Sequence, residues 1–290
     1  MGDPVLIGIR FALYADLMLV AGLAAFPLYA LTRDERLERQ PLAAIWRAER
    51  WLCAAGLLLS TLGMAWTTRS AALLLALAAS IWMTRRPATA AVTLAAAGSV
   101  AVATLVWSGH AGATEGAAGT VHRVSDMAHM IAAAVWIGAI GAFHLLISPR
   151  RIREIPDGLG IAARGLDQFS LIGTICVLVI AATGLINSQM IVGAENLGRS
   201  LGSPYGQLLL AKLALFGLML ALAAANRWRL APALAAAVSG VDTEGVDADP
   251  DQALAALRKS LIIEASTALA ILALVAWFGT LEPFVGTEPI

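Results

Sequence analysis

The stretch VHRVSDMAHMIAAAVWIGA, residues 121–139, decides how the chain is to be read. Its right half is apolar enough to lie in lipid, while its left half puts His122, Asp126 and His129 at the mouth of the same segment. Spacings of four and three stack these residues on one face of a helix, and Trp136, two turns deeper, continues the stripe. Ionisable groups at membrane depth are costly, so they face a partner, a cavity or a pathway.

The rest of the chain shares this character. Of its 290 residues 59% are hydrophobic and 14% charged, with a mean hydropathy of +0.77, where a soluble domain carries about 25% charged residues. An all-α, polytopic membrane bundle forming one integral domain is expected. At roughly 20 apolar residues per crossing, eight transmembrane helices are predicted, near 5–31, 48–67, 70–84, 88–108, 124–147, 166–192, 205–228 and 258–280.

Basic residues gather in the loops after the first, third, fifth and seventh spans, among them Arg33, Arg47, Arg85, Arg150, Arg229 and Lys259. The alternate loops hold only Arg69, Arg123 and Arg199. The positive-inside rule makes the first set cytoplasmic and puts both termini on the periplasmic side. The first basic cluster follows the first apolar stretch instead of preceding it, so that stretch reads as a retained helix. The long polar segment 229–257, containing GVDTEGVDADPD, reads as a flexible acidic cytoplasmic loop, with Asp249 or Pro250 opening the helix into the last span.

A net charge of zero with dispersed basic residues excludes a nucleic-acid partner, which needs a concentrated basic surface. Cys53 and Cys176 stand in separate apolar segments, form no C-x-x-C and read as small buried hydrophobes. No P-loop or phosphorylation motif is visible. No enzymatic activity is expected, and any transport would draw on a gradient or on an intracellular acceptor.

On this topology His129 lies about 8 Å inside the outer surface. The preceding loop, WSGHAGATEGAAGT, supplies His110 in a glycine-rich turn that can fold back over the helix mouth. Three of the four histidines therefore lie outside and close in sequence, while His144 ends the same span at headgroup level. Imidazole suits several transition metals and thioether sulfur favours Cu(I). Met130 borders the stripe, and Met64 and Met190 fall at the outer ends of spans two and six. A candidate metal set of His110, His122, Asp126, His129 and Met130 suits a copper ion, Cu+ or Cu2+.

Deeper polar groups form a second pattern. Asp16 is near the middle of span one and Lys212 roughly 10 Å inside span seven. Opposite charges at such depths pair or line water, so the two are expected to approach each other and, with Met18 and Met190, to mark a possible inward pathway. On the inner side Glu264 is about 9 Å into span eight, and Arg227 ends span seven. These two are expected to form a structural ion pair.

The stretch from Trp107 to Ala113, WSGHAGA, the pattern His122-x-x-x-Asp126-x-x-His129, and AAAVWIG from Ala132 to Gly138 together resemble the copper resistance protein D family, CopD or PcoD. Lys212-Leu213, Asn226-Arg227 followed by Pro232, and Arg258 with Glu264 extend the resemblance, as Arg10, Gly22 and Phe26 do less specifically. It implies an eight-span inner-membrane protein linked to copper uptake from the periplasm and to copper resistance. It also implies a separate periplasmic copper-binding partner protein, and copper handling by His110, His122, Asp126 and His129. Ala139 stands where relatives often carry a second glycine.

A reading from another class stays open on the residues alone. Bis-histidine ligation between membrane helices is a common b-type haem arrangement, and His129 with His110 or His122 would make this chain an electron carrier binding haem b.

Overall fold

The computed structural model describes residues 3–37, 39–60, 65–82, 85–108, 116–155, 157–200, 202–239 and 250–281. Among them every regular element is helical. The long helices are α1 (Pro4–Ala30), α2 (Arg39–Leu59), α3 (Trp66–Trp82), α4 (Pro87–Ala103), α5 (Gly116–Leu146), α6 (Gly158–Ile191), α7 (Pro204–Ala225) and α8 (Pro250–Phe278). A 3₁₀ turn, Thr104–Ser108, extends α4. A π turn, Asn226–Leu230, carries α7 on into a short helix, Ala231–Ser239.

Local sequence sets several of these starts. Asp3 caps α1 by accepting from the Val5 backbone N–H at 2.9 Å, with Pro4 in the first turn where a missing N–H costs nothing. Ser203 caps α7 in the same way, its hydroxyl accepting from Gly206 N–H at 3.1 Å. Pro250 opens α8, as expected.

Among the described residues six helices are long and apolar enough to cross a membrane: α1, α4 with its 3₁₀ turn, α5, α6, α7 with its continuation, and α8. The second and third expected spans fall on α2 and α3. The first of these begins nine residues before the expected boundary and carries Arg47, Glu49 and Arg50 along its length, while α3 has 17 residues. Hydropathy marks the apolar stretch of a helix, and the polar turns before it are helical too. For the same reason α5, α6 and α8 each start eight residues before their predicted spans. In the expected cytoplasmic loop Ala231–Ser239 is helical, and residues 240–249 lie outside the described ones.

The bundle is organised around α1, which packs against α2, α4, α5, α6 and α8. Its crossing with α5 is backbone on backbone. A Cβ built on Gly22 would lie 1.9 Å from the Ala134 carbonyl oxygen, and one on Gly138 would lie 2.1 Å from the Gly22 carbonyl carbon. Small residues permit such approaches between membrane helices, where dispersion contacts replace the hydrophobic drive of water. Beside it, Gly98 of α4 lies against Ala21.

One core cluster joins α1, α5, α6 and α8 around Phe26, Phe143 and Leu257, with the Phe26 and Phe143 rings edge to face at 5.0 Å. A second joins α1, α3 and α4 around Leu17, Leu73 and Leu94. Arg10 ties the N-terminal end of α1 to the far ends of two others, donating to Gly279 O at 3.0 Å and to Ser108 O. Arg69, expected in an outer loop, is instead buried in α3, where its Nε donates to Thr104 Oγ1 at 2.8 Å. The outward faces of α6 and α7 are apolar and exposed, with Leu171, Leu178, Leu185, Leu210 and Leu213 presented outward. This is the surface a lipid-facing helix requires.

Candidate functional site

The N-terminal half of α5 and the C-terminal half of α6 lie side by side, and the polar stripe foreseen on α5 faces α6. His122 is buried, 2% exposed, while Asp126 and His129 are half-buried. His129 Nδ1 lies 3.0 Å from Thr183 Oγ1. Ser125 Oγ donates to Thr183 O at 3.3 Å, and Asn187 Nδ2 donates to Asp126 Oδ1 at 3.2 Å.

These contacts fix the chemistry of the ring. The Thr183 hydroxyl has one proton, and it donates to the Val179 carbonyl at 2.5 Å. Toward His129 it therefore accepts, so Nδ1 carries the hydrogen and Nε2 keeps its lone pair. Metal-binding histidines are oriented in this way, the far nitrogen donating to an outer acceptor. Asp126 is fixed similarly by Asn187.

Thr183 and Asn187 were not foreseen. Their signal is in the sequence all the same: two polar residues four apart in an otherwise apolar span occupy one helix face.

Lys212 of α7 acts electrostatically on both Asp126 and His129, with Asp126 as its counter-charge. Its Nζ stands 5.7 Å from the centre of the Phe278 ring, which holds an edge-to-face contact with Tyr205. The expected approach of Asp16 to Lys212 is corrected here. Asp16 points to α2, where its Oδ2 faces Gly56, and the charge opposite Lys212 is supplied by α5. Reading each span alone gives depth but not azimuth, and the two residues prove to face different neighbours.

The other expected residues divide. Met130 packs against the α1, α3 and α4 cluster, about 100° round the helix from His129. Met18 is a buried member of that same cluster, and Met190 is exposed on α6. Trp136 is 3% exposed and meets Phe216 of α7 edge to face at 6.2 Å. His144 is exposed. His110 and Met64 lie outside the described residues. Among the described residues no three of His, Cys, Asp and Glu converge as a group that could hold a metal ion. His122 and His129 share one face of one helix, which does not place two imidazoles on opposite sides of a haem iron.

At the other end of the bundle the expected Arg227–Glu264 pair is replaced. Asn226 Nδ2 donates to Glu264 Oε1 at 2.5 Å, and the Arg227 guanidinium donates to Ser170 O at 3.1 Å and Thr174 Oγ1 at 2.6 Å. The π turn that starts at Asn226 shifts the register there, turning Asn226 toward α8 and Arg227 toward α6. Arg258 Nε donates to Ile147 O at 2.7 Å and joins α8 to the end of α5.

The family model described as copper resistance protein D matches residues 163–278, and that described as copper resistance protein D-like, N-terminal domain, matches 1–65 and 57–120. The histidine stripe lies between the matched stretches. Copper resistance protein D of Pseudomonas syringae pv. tomato is 36% identical over 98% of each chain. Inner membrane protein YebZ of Escherichia coli (strain K12) is 30% identical over 61% of this chain and 54% of its own. Copper transport protein CutJ of Bacillus subtilis (strain 168) is 35% identical over 41% of this chain and 20% of its own. No solved structure matches.

Proposed function

The chain belongs to the copper resistance protein D family, and from that membership we propose that it takes up copper ions from the periplasm through the polar stripe of α5. It is a multi-pass inner-membrane protein with a role in copper handling. In the proposed topology all eight long helices cross the membrane, with α2 and α3 completing the count and both termini periplasmic. The basic loops on the opposite side support that orientation.

The observation that carries the proposal is the His129–Thr183 contact, which leaves Nε2 its lone pair on the helix face that also carries Asp126, a carboxylate bonded by Asn187. Copper, as substrate, is captured by His129 and Asp126, with His122 one turn further out and His110 contributed by the preceding loop. Imidazole with carboxylate suits Cu2+ and imidazole suits Cu+. A cation arriving at Asp126 competes there with the charge of Lys212. Movement of that ammonium away from Asp126 is the first step of passage inward. A separate periplasmic copper-binding protein delivers the ion, and the chain acts as a transporter, not an enzyme.

The test is the copper content and visible spectrum of the purified protein after copper supplementation, wild type beside His110→Ala, His122→Ala and His129→Ala. Stoichiometric copper that is lost in the variants, without a Soret band, supports the reading. Copper retained in His129→Ala would sink it.

A further inference from the structure

The contact between α1 and α2 holds two carboxyl groups that the α5–α6 stripe does not use. Glu49 has 0% exposure, and neither of its carboxyl oxygens has a hydrogen-bond partner among the described residues. Asp16, 6% exposed, faces α2 from α1, and its Oδ2 is likewise unpartnered.

Glu49, Cys53 and Gly56 follow one another along one face of α2 at spacings of four and three. Gly56 is what admits the aspartate, because a Cβ there would lie 2.5 Å from Asp16 Oδ2. Asp16 therefore sits level with Gly56, the fully buried Cys53 comes next, and Glu49 lies about 10 Å further toward the N-terminal end of α2. The two carboxyls act electrostatically on each other and both act on the thiol between them.

Among the described residues no cation forms an ion pair with either carboxyl. Arg69 of α3 donates to Thr104 and is influenced electrostatically by Tyr14. Helix α4 carries no ionisable residue. On α5 and α6 Asp126 and His129 are engaged with Asn187 and Thr183, Arg164 with Glu35 and Asp157, and on α8 Glu264 with Asn226. A naked carboxylate buried without a donor is not sustainable, so a proton or a metal ion must supply the missing charge. The described residues form no metal-holding group there, and a buried carboxyl without a partner characteristically neutralises by taking up a proton.

We propose that Asp16 and Glu49 form a proton-binding carboxyl pair inside the membrane, holding at least one proton at rest. A chain without an ATP-binding motif needs another source of drive, and protonatable groups inside the membrane are how a proton gradient supplies it. The pair stands whatever ion the α5–α6 stripe takes.

Infrared difference spectroscopy of the purified full-length protein in copper-free buffer reads the pair directly. At pH 7 the wild type shows the carbonyl stretch of a protonated carboxylic acid, moving to lower frequency in D₂O. That band is lost in Glu49→Gln and shifted in Asp16→Asn, while His129→Ala leaves it unchanged. Glu264→Gln assigns any contribution from the other buried acid. A band that neither Glu49→Gln nor Asp16→Asn alters overturns the proposal, and so does one that emerges only after a metal ion is chelated away. If Glu49→Gln does not fold, Glu49→Asp carries the same test, since moving the acid shifts its band where a merely structural role leaves it in place. Because no copper is present, the outcome is independent of the outer-site experiment.

Discussion

The Nδ1 of His129 and the Oγ1 of Thr183, 3.0 Å apart, join α5 to α6 and set which ring nitrogen is open to a metal. Thr183 spends its own proton on the Val179 carbonyl, so it serves the ring only as an acceptor. Thr183→Val keeps the shape and removes that acceptor. The ring then loses its orientation and tautomer, and copper affinity falls roughly 10- to 100-fold, the usual cost of removing such an outer partner. Thr183→Ser restores it to within a few-fold. Competition with a chromophoric copper chelator measures both, and unchanged affinity in Thr183→Val would remove the basis of the site.

Gly22 and Gly138 leave no room for a methyl group at the α1–α5 crossing. Gly22→Ala and Gly138→Ala must push the helices apart, at a cost of about 1–3 kcal/mol or more for overpacking. Gly217 has nothing within 4 Å of a Cβ built there, so Gly217→Ala is the control and keeps wild-type stability. Thermal unfolding in detergent, followed by loss of monodisperse protein, distinguishes the three.

Much of this was legible before any coordinates. The apolar runs give the helices, and the four-and-three spacing of His122, Asp126 and His129 gives a shared face. What escaped is relational. Asp16 and Lys212 each announce themselves as charges in apolar spans, yet the partner of each depends on how its helix is rotated, which periodicity does not reveal when nearly every face is apolar. Glu49 was hidden because it stands between Arg47 and Arg50 at the very start of the predicted span 48–67, where a charge reads as interfacial. Arg227 was paired by proximity in sequence to the inner boundary, and a π turn invisible to composition handed the contact to its neighbour Asn226.

That exchange makes its own prediction. Asn226 Nδ2 is the donor to buried Glu264, so Asn226→Leu strands a buried carboxyl oxygen and costs about 1–3 kcal/mol. Among the described residues the exposed Arg227 bonds to Ser170 and Thr174 on α6, and Arg227→Gln costs clearly less. Unfolding of the two variants side by side gives the order, and a larger loss for Arg227→Gln would restore the ion pair expected from sequence.

At the foot of the bundle Arg164 NH2 lies 2.6 Å from Glu35 Oε1 and 3.0 Å from Asp157 Oδ2, while Thr32 N–H donates to Glu35 Oε2 at 2.8 Å. This network ties the short helix Arg33–Leu37 to α6. Burial alone would raise the Glu35 carboxyl, but the hydrogen bonds from Arg164 and Thr32 outweigh it and hold the group below its ordinary 4.5. A carboxyl lowered in the folded state contributes stability that is fully present above its unfolded value and is lost as pH falls through the folded one. The clamp is therefore intact at neutral pH and weakens only below about pH 4.5. Glu35→Gln loses about 1 kcal/mol at pH 7, and its stability falls less steeply on acidification than that of the wild type. Parallel melts between pH 7 and pH 4 read the difference, and curves of equal slope would mean that Arg164 is held by Asp157 alone.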